Sequence, residues 1–137
     1  MIDEIIPHSD GMPSATEAGG VEYLERLSAK LPAAGVELRG ALSAINKQSR
    51  NQFSKSFAAL SNPERVQILT HIEKSMPKTF TALRDYTYEA YYIQPRVWKL
   101  LDYTFYPTNG AGPRMKPFDE VVLANVRRKP KHYREVD

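Results

Sequence analysis

FTALRDYTYEAYYIQPRVW, residues 80–98, decides the fold. At about 100° per residue, Phe80, Leu83, Thr87, Ala90 and Tyr91 fall on one face, joined from the turn before by Met76. That is the apolar stripe of a helix running from about Pro77 to Tyr92. Asp85 and Glu89 take the opposite side. Tyr86 leaves the stripe on one flank, Tyr88 and Tyr92 on the other. A short helix begins near Pro95, with Val97, Trp98, Leu100 and Leu101 as its apolar and aromatic positions.

The same helical rhythm extends outward. Upstream, SNPERVQILTHIEKS opens on Ser61, with Pro63 in the first turn and Glu64 at capping-box spacing. Val66, Leu69, Ile72 and Met76 are its expected stripe. Before it, Leu38, Leu42 and Ile45, then Phe53, Phe57 and Leu60, mark two helices separated by the polar run NKQSRNQ. Ser14 and Glu17 have capping-box spacing ahead of Val21, Leu24, Leu27 and Leu31. Gly19 and Gly20 weaken those first turns, and Pro32 ends the helix. Downstream of Tyr106, PTNGAGPRMKPF is turn-rich, and DEVVLANV reads as a short strand or an extended arm. The expected fold is all-α: a bundle of five to six helices over residues 1–126, with an extended arm from about residue 107 and a basic tail at 127–137.

With 42% apolar and 26% charged residues, the 137-residue chain has an ordinary globular composition and suffices for one core. No apolar run approaches the ~18 residues of a membrane span. There is no cysteine, which excludes disulfides, thiol catalysis and iron–sulfur ligation. The net charge of +3 is a property of the tail. Residues 1–126 carry 14 basic and 14 acidic groups, and RRKPKHYREVD carries five and two. A body without a basic excess argues against specific nucleic-acid binding. The sequence opens without a basic n-region, a long apolar h-region or a twin-arginine pair. The expected location is therefore cytoplasmic, or periplasmic if a leader has been removed.

The aromatic content exceeds what the core stripe needs. Residues 84–106 hold six of the eight tyrosines and the one tryptophan. Tyr91 belongs to the core. Tyr86, Tyr88, Tyr92, Trp98, Tyr103 and Tyr106 form a surplus that fits either neighbouring helices or a partner surface, since these side chains combine an apolar ring with a polar handle.

Reaction chemistry is not legible. His8, His71 and His132 lack ligand spacing. Asp85 and Glu89, one helical turn apart, read better as a solvated face than as an acid pair. NGAGP lacks phosphate-loop spacing and its strand–turn–helix context. The expectation is a chain with no catalytic residues, no cofactor and no metal of its own.

The order of several segments does carry a resemblance. Ile5, Ile6 and Pro7 are followed by a polar loop and then ATEAGGVEYLE, with the pair Tyr23 and Leu24. Phe57 and Leu60 precede a helix start, and FTALRDYTYEAYYIQPRVW follows. Over about residues 4–126 this layout resembles the small third subunit of membrane-associated gluconate 2-dehydrogenases and related sugar dehydrogenases. The resemblance implies a non-catalytic subunit that docks on and stabilises a large catalytic chain of the glucose–methanol–choline (GMC) oxidoreductase type, and assists its export. The FAD would lie in that partner, and a c-type cytochrome would accept the electrons. The aromatic surplus would then be the docking face, with the arm wrapping the partner. The alternative is a small helical nucleic-acid-binding or regulatory protein using its basic tail, and a further one is a free-standing enzyme with an unrecognised acid–base site.

Overall fold

Prolines set the helix starts. In the computed structural model, which describes residues 1–104 and 119–130, Pro32, Pro63, Pro77 and Pro95 all lie in the first two positions of a helix. A proline there loses no intrahelical hydrogen bond, and its fixed φ is already helical. The elements in order are α1 (Ile2–Ile5), α2 (Gly20–Lys30), α3 (Pro32–Phe53), a 3-10 turn at Phe57–Ala59, α4 (Asn62–Ser75), α5 (Pro77–Tyr92) and α6 (Pro95–Leu100). These make up one unit, residues 1–104. The described residues contain no strand, and the all-α expectation holds.

α5 is the central element and packs against α1, α2, α3, α4 and α6. Leu83, Thr87, Ala90 and Tyr91 are buried, as the helical wheel requires, and Phe80 is half-buried. Leu83 enters a cluster with Leu38, Ile45, Phe57, Ile68 and Ile72. Tyr91 enters a second, with Ile2, Ala15, Ala18 and Val97. One face of α5 therefore joins both halves of the core. Thr87 is buried at no cost in unpaired polarity, because its hydroxyl donates to the Leu83 carbonyl at 2.7 Å.

Two expectations change within this unit, and the start of α2 falls late, as its glycines imply. The polar run NKQSRNQ does not break the chain: α3 is one helix of 22 residues. Ile45, Ser49 and Phe53 keep the four-residue step, and the polar groups serve the following turn. Asn46 accepts from the Phe57 N–H at 3.2 Å, and the Ser49 hydroxyl donates to the Lys55 carbonyl at 2.8 Å. In α4 the buried residues are Ile68, Leu69 and Ile72, whereas Val66 and Met76 are exposed. The Ser14–Glu17 box forms, with hydrogen bonds of 2.7 and 3.3 Å, but it closes a turn, and α2 starts only at Gly20.

The Ser61 cap is as read: its N–H and hydroxyl both donate to Glu64 at 2.7 Å, and these bonds hold the Glu64 carboxyl below its ordinary pKa. Arg65 fastens α1 to α4 by donating to Glu4 at 3.1 Å and to the Ala58 carbonyl at 2.9 Å. Burial works against the Glu4 carboxylate, but hydrogen bonds from the Met1 amino group and Arg65 outweigh it and keep its pKa below the ordinary value.

A second unit, taken by itself, contains a 3-10 turn at Glu120–Leu123 and a short helix α7 (Ala124–Arg127). The strand or extended path expected for DEVVLANV is thus replaced by helical turns. Asp119 starts them by accepting from the Val121 N–H at 2.9 Å, and Arg127 pairs back to Glu120 at 3.0 Å. The arm expected between residue 107 and this segment, and the tail beyond residue 130, lie outside the described residues.

Two predictions follow from this packing. A Cβ at Gly20 would stand 2.7 Å from the Ala15 carbonyl oxygen. Gly20→Ala is expected to lower stability by about 1–3 kcal/mol, read from a urea titration followed by circular dichroism. Across α2 and α5, the Tyr23 hydroxyl donates to Glu89, and that bond, reinforced by burial, pushes the phenol up to about 12. A raised folded-state pKa means that the contribution is complete below the unfolded value of roughly 10 and is lost as pH rises through the folded one. Wild-type stability is expected to fall between those limits more steeply than that of Tyr23→Phe, by melting temperature against pH.

Candidate docking surface

The rings beyond the core gather where α5 hands over to α6. Tyr91 turns inward: it is 2% exposed, and its hydroxyl donates to the Pro13 carbonyl at 3.0 Å. Tyr92, its neighbour in sequence, turns outward and meets the Tyr91 ring edge-on at 5.1 Å. One turn back, Tyr88 packs edge-on against Tyr92 at 6.3 Å. Both are exposed, as Asp85 and Glu89 are.

Trp98 ties the two helices. Its indole Nε1–H donates to the Tyr92 carbonyl, one of the last α5 carbonyls, which have no intrahelical partner. Its ring, half-buried, meets Tyr103 at 6.2 Å in an edge arrangement. Val97 beside it is fully buried and pins α6 to the Tyr91 cluster. The loop before α2 holds the same junction from the other side, with Arg96 donating to the Glu17 carbonyl. The face is thus built on capped, packed helix ends rather than on a free loop.

Of the six residues read as surplus, the structure brings together Tyr88, Tyr92, Trp98 and Tyr103. Tyr86 is placed apart: it packs against the Leu83 cluster, and its hydroxyl donates to Glu37 of α3 at 2.8 Å, which raises its pKa. It is an internal strut between α5 and α3. Tyr106 lies outside the described residues. Sequence reading missed Ile93, 45% exposed, and named Leu100 and Leu101, 54% and 52% exposed, as apolar positions of α6 without counting them in the surplus. Val97, Leu100 and Leu101 stand at helical spacing, yet only Val97 is buried, and the helix ends at Leu100.

The possible acid pair is taken up elsewhere. Asp85 accepts twice from Arg84, at 3.0 and 2.9 Å, and Glu89 accepts from Tyr23. His8 is exposed and lies 2.9 Å from Glu17, whose carboxyl is held low mainly by that contact. His71 is exposed on α4. Among the described residues no three His, Cys, Asp or Glu side chains converge as metal ligands, and no helix is long and apolar enough to cross a membrane. His132 and NGAGP lie outside the described residues. The arrangement offers contact chemistry: an apolar, ring-lined face with phenol hydroxyls at its edges.

Trp98→Phe keeps a ring and removes the N–H. It is expected to cost about 1 kcal/mol of stability in urea and to weaken the Trp98–Tyr103 edge contact, read as a change in near-ultraviolet circular dichroism.

The sequence model of the family described as gluconate 2-dehydrogenase subunit 3 matches residues 1–110. No curated protein matches the chain. No solved structure matches it.

Proposed function

Because this chain belongs to the gluconate 2-dehydrogenase subunit 3 family, we propose that it is a non-catalytic small subunit that docks on and stabilises a large FAD-dependent, GMC-type carbohydrate dehydrogenase. Membership in a dehydrogenase complex already implies a catalytic partner. The flavin and the reacting sugar belong to that partner, a c-type cytochrome takes the electrons, and the complex works in the periplasm, the small subunit assisting export of the large one.

The observation that carries this reading is the crowding of exposed apolar side chains at the α5–α6 junction. Tyr88, Tyr92, Ile93, Leu100, Leu101 and Tyr103 are each more than 40% exposed, within sixteen residues of sequence. Scattered exposed apolar residues need no explanation, but ring pairs and aliphatic side chains crowded at one helix junction suit an interaction surface. Such a patch suits a stable complex. Buried aromatics supply much of the energy of a stable interface, and rings already stacked on each other lose little freedom on binding.

The test is co-expression of this chain with the flavoprotein encoded beside its gene. A stoichiometric complex with the visible spectrum of oxidised flavin is expected. Trp98→Ala and Tyr92→Ala are each expected to weaken it by tenfold or more, about 1.4 kcal/mol or above, in a titration of labelled small subunit. A colourless chain eluting alone, beside a flavoprotein fully active without it, would overturn the reading. Wild-type affinity in both variants would move the docking face elsewhere.

A further inference from the structure

The even charge balance of the body hides a segregation along the chain. Residues 1–37 carry seven acidic and two basic groups, whereas residues 38–63 carry four basic groups and no acidic one. Three of those four, Arg39, Lys47 and Arg50, stand on α3, and none of them makes an ion pair among the described residues. At about 100° per residue, Val36, Arg39, Lys47 and Arg50 all fall within about 40° of Ser43. Each of the five is exposed, and Leu38, Ala41 and Ile45 are buried on the opposite side. Glu37, the one acid of α3, lies about 120° from Ser43 and accepts from Tyr86. The outward face of α3 is therefore a line of cations spread over about 16 Å of helix axis. The helix dipole accounts for Arg50, in the last turn, but not for Arg39 or Lys47.

The line has a hollow in it. Lys47 and Arg50 enclose a depression of about 360 Å³ with Ser43, Asn46 and Asn51. All five side chains can donate hydrogen bonds, and none is an acid. The acceptor of Asn46 is already used: its Oδ1 takes the Phe57 N–H at 3.2 Å, which leaves its amide nitrogen to donate. Two cations and three neutral donors around one hollow suit a phosphate group. A single phosphate seated there leaves Arg39, about 12 Å back along the helix, unused. A surface presenting many phosphates engages the whole line. Val36, 63% exposed on that line, has no role against a nucleic-acid backbone and suits the boundary between lipid headgroups and acyl chains.

We infer that the outward face of α3 is a contact for an anionic phospholipid surface, with one headgroup phosphate seated between Lys47 and Arg50. The inference needs this chain alone and does not rest on the docking reading. The aromatic face shares no residue with α3, so in the complex proposed above the small subunit brings the large one to a bilayer.

The full chain is sedimented with vesicles of phosphatidylcholine alone and of phosphatidylcholine mixed with phosphatidylglycerol. Binding to the mixed vesicles only, falling as salt rises, is expected. The double variant Lys47→Glu, Arg50→Glu is expected to lose tenfold or more with unchanged circular dichroism, since each cation near an anionic leaflet is worth about fivefold. Lys74→Glu with Lys78→Glu makes the same change of net charge at exposed positions of α4 and α5 and is expected to bind as wild type does. Absence of vesicle binding overturns the inference. So does wild-type binding by the Lys47 and Arg50 variant, which passes the contact to the basic tail, and so does equal loss in both double variants, which makes net charge the cause. If vesicles are ignored while inorganic phosphate or a DNA duplex binds, the lipid surface is the wrong ligand and the inference falls. If vesicles are ignored and the Lys47 and Arg50 variant instead releases the flavoprotein, the face belongs to that partner; the lipid contact falls and the docking reading stands.

Discussion

Tyr91 and Leu83, two turns apart on one helix face, each complete a different hydrophobic cluster. The rest of the molecule depends on that shared face of α5. Burying a large side chain fully is worth about 1.5–3 kcal/mol, and truncating one costs more because a cavity remains. The face is possible because its polar atoms are paired: Thr87 bonds within the helix, and the Tyr91 hydroxyl finds the Pro13 carbonyl. Were either left unpaired, the cost of about 1–3 kcal/mol would offset much of what burial contributes.

The flanks of the same helix do different work because of what lies opposite them. Tyr86 reaches Glu37 on α3, and Glu89 receives Tyr23 from α2. These bonds fix how α5 is rotated against its neighbours, and so which way Tyr88 and Tyr92 point. The outward rings are therefore presented by the core rather than by a loop. With Trp98 capping the end of α5, their geometry is set by the fold itself.

Legibility in the sequence followed physical range. The starts of α4, α5 and α6 were readable because proline and capping residues act within a single turn. The stripe of α5 was readable because its period is a property of the helix. α3 was misread as two helices because a polar run was taken as a break, when it carries no glycine or proline to break a helix. In α4 the neighbouring stripe positions 65, 68, 69 and 72 won over 66 and 76 because Arg65 is drawn to Phe57 in the preceding turn and to Glu4, 61 residues away.

The sequence by itself determined a helical chain, the face of α5 that is buried, the surplus of aromatic side chains beyond it and the family the chain resembles. Composition, period and punctuation are local, and they survive without knowledge of neighbours. The tertiary structure alone decided how the surplus is divided. Tyr86 and Tyr88 are equivalent by composition and differ by about 200° around the helix. One meets a carboxylate on α3, and the other meets a ring on its own helix and the solvent. That distinction depends on which helices pack alongside, a long-range fact that no window of sequence contains.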